Sequence, residues 1–94
     1  MENKPMYSSI ISSRAQKEIL SSFNFYEERQ TGLGDRFLEQ LLLKIKNIEL
    51  NPDLYPNKFK SYRETLINVF PLLIIYRINI RKKIIRIIRL IHLS

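Results

Sequence analysis

The last segment of the chain constrains the fold most. "IIRIIRLIH", residues 84–92, holds five isoleucines in nine positions, with Arg86 and Arg89 among them and the single histidine at its end. β-Branched side chains are stiff at χ1 and favour extended chain over helix. Helical winding also fails on pattern. Over residues 81–93 it would set Leu90 among Lys82, Lys83 and Arg86, spoiling the polar face that a membrane-surface helix requires. The stretch therefore reads as a strand from about Ile84 to His92. By strict alternation one face carries Ile84, Arg86, Ile88, Leu90 and His92, and the other Ile85, Ile87, Arg89 and Ile91. Both faces are mainly apolar, so helices are expected to cover one side, and the other implies either an apolar surface left open or a partner.

Upstream, the pattern is helical. A short strand is expected around Met6 to Ile11. Ser13 followed by Gln16 has the spacing of a capping box, and Ala15, Ile19 and Tyr26, with Leu20 and Phe23 beside them, recur at helical spacing. "TGLG" at Thr31 to Gly34 breaks this run. A second run, Phe37, Leu41, Ile45 and Ile48 flanked by Leu38 and Leu42, predicts a stronger helix that stops near Asn51, because Pro52 disfavours helical backbone in the residue before it. The two form a helical hairpin. From Phe59 onward, runs of Val, Ile, Tyr and Phe separated by "NVFP" and "NIRKK" predict three strands in an antiparallel meander. The expected fold is α+β, in the order β-α-α-β-β-β, with the helical hairpin packed on one face of a mainly antiparallel sheet.

With 94 residues, 45% of them hydrophobic, the chain suits a single domain over residues 1–94 that buries roughly 60 to 70% of its unfolded surface. Sixteen Lys and Arg against nine Asp and Glu give a net charge of +7, which favours a polyanionic or acidic partner. The absence of cysteine rules out disulfides and thiolate metal sites and points to a reducing cytoplasm. No stretch has the ~20 apolar residues of a membrane span. Paired carboxylates, a Gly-rich phosphate loop and metal-ligand spacing are all missing from the sequence, so no cofactor and no metal is expected, and Gly32 and Gly34 are too isolated to cradle phosphate.

The combination of "SSRAQKEILSSFNFYEE", "GLGDRFLEQLLLKIKNIELNP", "FPLLIIYRI" and a closing "IIRLIH" resembles the RelE/ParE superfamily of bacterial type II toxins, also known as plasmid stabilisation proteins, over about residues 6 to 92. The resemblance implies a microbial-RNase-like scaffold and neutralisation by an acidic antitoxin encoded beside it, with a homodimer or a heterotetramer with the antitoxin as the assemblies to consider. Members of the superfamily divide by target: RelE-like toxins cut messenger RNA in the ribosome, and ParE-like toxins poison DNA gyrase.

A metal-independent endoribonuclease needs a base, a cation for the developing phosphorane charge and an acid. Arg63 matches the arginine that RelE-like nucleases place on the phosphate, and His92 matches a terminal histidine that moves protons in some members. Lys58, Lys60, Arg81 and Arg86 are the expected nucleic-acid contacts. Arg86 and His92, six residues apart on one strand, stand ~20 Å from each other and cannot grip one phosphate. Tyr76 and Arg77 read mainly as structural. The tyrosine that active RelE-like members carry near the C-terminus is missing, since Leu93 and Ser94 follow His92. The leading expectation is a toxin that arrests translation by cutting messenger RNA. Its alternatives are a non-enzymatic gyrase poison and a decayed toxin that retains only antitoxin binding. The antitoxin segment is expected to cover the region of Arg63 and His92.

Overall fold

The computed structural model describes residues 6–59 and 61–93, with Lys58 and Phe59 placed by their backbone alone. Seven elements follow one another: β1 (Ser8–Ile11), α1 (Ser13–Arg29), α2 (Leu33–Leu50), β2 (Asn57–Phe59), β3 (Tyr62–Leu66), β4 (Leu72–Asn79) and β5 (Ile84–His92). This is the expected order with one short strand added. β2 pairs with β3, and sequence reading passed over it because three residues carry no periodicity. The sheet runs β1-β5-β4-β3-β2. Every neighbouring pair is antiparallel except β1 with β5, which is parallel and so needs the long crossover that the helical hairpin begins.

Local chemistry explains where the helices start. The cap of α1 is Ser12, one residue before the expected Ser13: its hydroxyl accepts the Ala15 N–H at 3.1 Å and donates to the Ile88 carbonyl at 2.8 Å, fastening the helix start to β5. Gln16 does reach back, but to the Ile11 carbonyl at 2.9 Å, so no capping box forms. The start of α2 has no side-chain cap of its own. Gly32, at φ +91°, turns the chain there, and the Glu27 carboxylate accepts the N–H groups of Gly32 and Gly34 at 3.0–3.1 Å. Gly34 has a second reason to lack a side chain, since a Cβ would stand 2.7 Å from the Phe23 ring. The "TGLG" turn is thus a joint between closely packed helices.

The core lies between the hairpin and one face of the sheet. Ala15 and Tyr26 of α1 and Phe37, Leu41, Ile45 and Ile48 of α2 are buried as the spacing predicts. Leu20 and Leu42 are each 61% exposed, contrary to the expected stripe. Each directly follows a residue turned toward the core, and ~100° per residue swings it onto the solvent side. From the sheet come Leu72, Ile74 and Tyr76 of β4 and Ile85, Ile87 and Leu90 of β5.

β4 alternates cleanly, but β5 does not. The register shifts between the pairs Ile75↔Arg89 and Tyr76↔Ile87, so Ile88 is an extra residue opposed by nothing on β4. This bulge overturns the strict alternation expected of the closing strand. Ile85 and Ile87 face the helices below it, and Leu90 does so above it. Ile84, Arg86 and Ile91 belong to the other, open face. No helix among the described residues is long and apolar enough to cross a membrane.

Candidate functional site

Arg63 stands on β3 directly opposite Tyr76 of β4 and therefore on the helix-bearing side of the sheet. Its Nη1 donates to the Tyr55 carbonyl at 2.6 Å and its Nη2 lies 3.6 Å from Asp53 Oδ1, leaving the side chain 21% exposed. Beside it, the Tyr76 hydroxyl donates to the Pro52 carbonyl at 3.0 Å, and burial pushes its pKa up to about 12, with the Arg63 charge opposing. Arg63 and Tyr76 together pin residues 52–55, the segment that follows α2, onto the sheet. The guanidinium expected to meet a phosphate is occupied by the protein's own groups.

His92 ends β5, opposite Leu72. Its Nε2 is 3.3 Å from the Tyr26 hydroxyl, and its ring meets Phe25 edge-on with centroids 5.6 Å apart. Burial raises the Tyr26 pKa against the opposing charge of Arg29, and its hydroxyl shares a hydrogen bond with the ring nitrogen whose direction follows the imidazole tautomer. Tyr26 in turn packs edge-on against Phe70 and alongside Phe37. The histidine is exposed on the rim of an aromatic cluster, and sequence reading missed its partner because Tyr26 lies 66 positions earlier.

The register separates these two candidates. Arg63 opposes Tyr76 and His92 opposes Leu72, from strands on opposite sides of β4. At ~3.3 Å per residue and ~4.8 Å per strand their Cα atoms stand roughly 16 Å apart. Buried Leu72, Ile74 and Thr65 fill the space between. The two side chains are held by different partners, Arg63 by the Tyr55 carbonyl and His92 by Tyr26.

Cations do gather on the open face. Tyr62, Arg77, Arg86 and Ile10 form one row across β3, β4, β5 and β1. Arg77 and Arg86 are directly opposed, both are exposed, and neither makes an ion pair among the described residues. The Arg77 guanidinium lies over the Tyr62 ring, 5.1 Å from its centroid. Arg81, in the β4–β5 turn, joins the same groove as Arg77 and Arg86, so two of the expected nucleic-acid contacts come together. Lys58 is placed only by its backbone in β2, and Lys60 lies outside the described residues. The opposition of Arg77 to Arg86 was open to sequence reading, because a tight turn after Asn79 fixes which residues pair.

Arg89 behaves differently. Its Nε and Nη2 both donate to Glu18 Oε2 at 2.9 Å, while Glu18 Oε1 accepts the Leu90 N–H at 2.9 Å. Glu18 thereby ties α1 to β5 just past the bulge. Burial pushes the Glu18 carboxyl up, but the bonds from Arg89 and Leu90 and the charges of Arg89 and Arg14 outweigh it and hold the pKa below its ordinary value.

This arrangement can recognise an anionic or acidic partner on the open face. Comparison with known proteins agrees with the fold. The structure titled as the chromosomal ParDE TA system from P. aeruginosa superposes with a TM-score of 0.77 at 14% identity, over 97% of this chain and 100% of that one. No curated protein matches the sequence. The family model described as the ParE toxin of the type II toxin-antitoxin system, parDE, matches residues 10–94. With the resemblance read from its motifs, the fold and this match in agreement, the chain belongs to the ParE toxin family within the RelE/ParE superfamily.

Proposed function

We propose that this protein is a growth-arresting toxin that holds DNA gyrase through surface contacts, without chemistry of its own, and that an acidic antitoxin encoded beside it keeps it inactive. One observation carries the choice of mechanism: Arg63 is engaged by Tyr55 and Asp53 and His92 by Tyr26, with Cα atoms roughly 16 Å apart, which speaks against their convergence on one phosphate. A poison that works by binding needs no such convergence. Membership of the ParE toxin family supports the same reading, as does the net charge of +7, which suits an acidic inhibitor.

Controlled expression with pulse labelling tests the target. Thymidine incorporation is expected to fall first while amino-acid incorporation continues. An early loss of protein synthesis with DNA synthesis intact would sink the gyrase reading in favour of messenger RNA cleavage. A chain that arrests neither process would be a decayed toxin. The two mechanisms also differ at Arg63. A nuclease loses its activity in Arg63→Ala while staying folded. A binding poison loses toxicity only in proportion to the folded protein lost, which a growth assay at matched soluble protein levels would reveal.

A further inference from the structure

The row across the open face contains an arrangement that costs the isolated protein stability. Arg77 and Arg86 are directly opposed on neighbouring antiparallel strands, where side chains sit ~5 Å apart at Cβ and like charges repel. The other ordered arginines of this sheet are treated differently: Arg63 is bound to Asp53 and the Tyr55 carbonyl, and Arg89 to Glu18. Among the described residues, Arg77 and Arg86 have no carboxylate. Tyr62 fixes one of them, because its ring lies under the Arg77 guanidinium. The pair lines a groove of about 570 Å³ whose other walls include Ile10, Ile80, Ile84 and Arg81. Ile10 is 43% exposed and Ile80 66%.

We propose that Arg77 and Arg86 form a carboxylate clamp, and that its occupant is a peptide segment of the antitoxin carrying an Asp or Glu flanked by aliphatic side chains. This rests on the reading of the chain as an antitoxin-bound toxin and adds where the acidic segment is held: on the open face beside the β4–β5 turn, away from Arg63 and His92. Two guanidinium forks carried by directly opposed residues of adjacent strands can share the four lone-pair directions of one carboxylate. The flanking isoleucines give aliphatic neighbours of that carboxylate a surface to bury. A polynucleotide fits less well. It needs a flat aromatic platform for its bases, and the one ring in this row, Tyr62, is already covered by Arg77.

Two probes separate this site from the reading it rests on. The first is calorimetric titration of the full-length toxin with the antitoxin from the adjacent gene. The Arg77→Ala/Arg86→Ala double variant should bind roughly 10- to 100-fold more weakly with thermal stability equal to or slightly above that of the wild type, as expected for loss of charge-assisted bonds and of the repulsion between the two cations. Arg77→Lys/Arg86→Lys, which keeps the charge and loses the forks, should recover only part of the affinity. Lys46→Ala, one charge removed from the exposed side of α2, should bind like the wild type. Equal binding by the double alanine variant, or equal weakening by Lys46→Ala, overturns the clamp and leaves the toxin–antitoxin reading standing. The second probe is a labelled synthetic peptide of glutamates separated by leucines, titrated against the same variants. It should bind the wild type, weaken as salt is added and fail with the double alanine variant. If the antitoxin does not bind the wild type and this peptide does, the antitoxin reading falls and the site remains. Tighter binding of a single-stranded RNA oligomer than of the peptide, abolished in the same variant, overturns the choice of a peptide occupant.

Discussion

The two faces of the sheet use the same residue types for opposite ends. Toward the helices, Leu72, Ile74, Tyr76, Ile85 and Ile87 have no exposed surface, and the arginine on that side is held by protein groups. Toward solvent, Ile10 is 43% and Leu66 51% exposed, and Arg77 and Arg86 face each other without an acid. Exposure of an arginine therefore says little about its availability. Arg63 and Arg89 are both partly accessible, yet each is committed to a contact that fixes another part of the chain. What distinguishes a recognition residue here is a cation whose local cost the isolated fold does not offset.

Substitutions across the two faces sharpen this contrast, and the largest effect belongs to the core. Ile74→Ala should lower stability by roughly 2 to 5 kcal/mol in chemical denaturation, through lost burial and the cavity left behind. Its open-face counterpart Ile10→Ala should cost well under half as much. Equal losses would break the division into a supporting and a recognising face.

Next comes the Glu18 anchor. Glu18→Gln should cost about 1 to 3 kcal/mol at neutral pH, because it weakens the bonds to Arg89 and to the Leu90 N–H. The sign of its pH dependence follows from a folded-state pKa below the ordinary 4.5. The contribution is fully present above about 4.5 and is lost as pH falls through the lower, folded value. Denaturation at neutral and at strongly acid pH should therefore show the wild-type advantage over Glu18→Gln shrinking in acid. An advantage that persists there would mean that the carboxylate charge is not what holds the bulge.

Tyr76→Phe removes one buried bond, to the Pro52 carbonyl, and should cost about 1 kcal/mol, read as a lower denaturation midpoint. The smallest effect is expected at Arg86→Ala, within about 0.5 kcal/mol of wild type and on the stabilising side if relief from Arg77 outweighs lost packing. A loss as large as that of Tyr76→Phe would place Arg86 among the supporting residues.

Much of this fold was legible in the sequence because it rests on local periodicity. The buried stripe Phe37, Leu41, Ile45 and Ile48 and the extended character of the isoleucine-rich end both follow from spacing and side-chain shape. The misses have a common cause in contacts between distant residues. Nothing near Ile88 announces the bulge, whose carbonyl is bound by Ser12 and whose neighbour Leu90 is bound by Glu18, both far upstream. The occupation of Arg63 was equally hidden, since its shortest bond goes to the backbone of Tyr55, which any residue would offer. The Arg77–Arg86 opposition needed only the position of one tight turn, and was passed over because each arginine was weighed alone.

The bulge at Ile88 also sets a rule for how this end of the chain tolerates insertion and deletion. A strand with period two behaves like a binary counter, and one extra residue inverts every digit after it. Removing Ile88 would take out the bulge and leave the facing of the strand intact: Ile87, Leu90 and His92 would keep the helix side and Arg89 the other, and the loss would be the carbonyl that Ser12 binds. Loss of one residue at this point should therefore be tolerated, whereas one residue more would need a second bulge or would turn the face of everything after it.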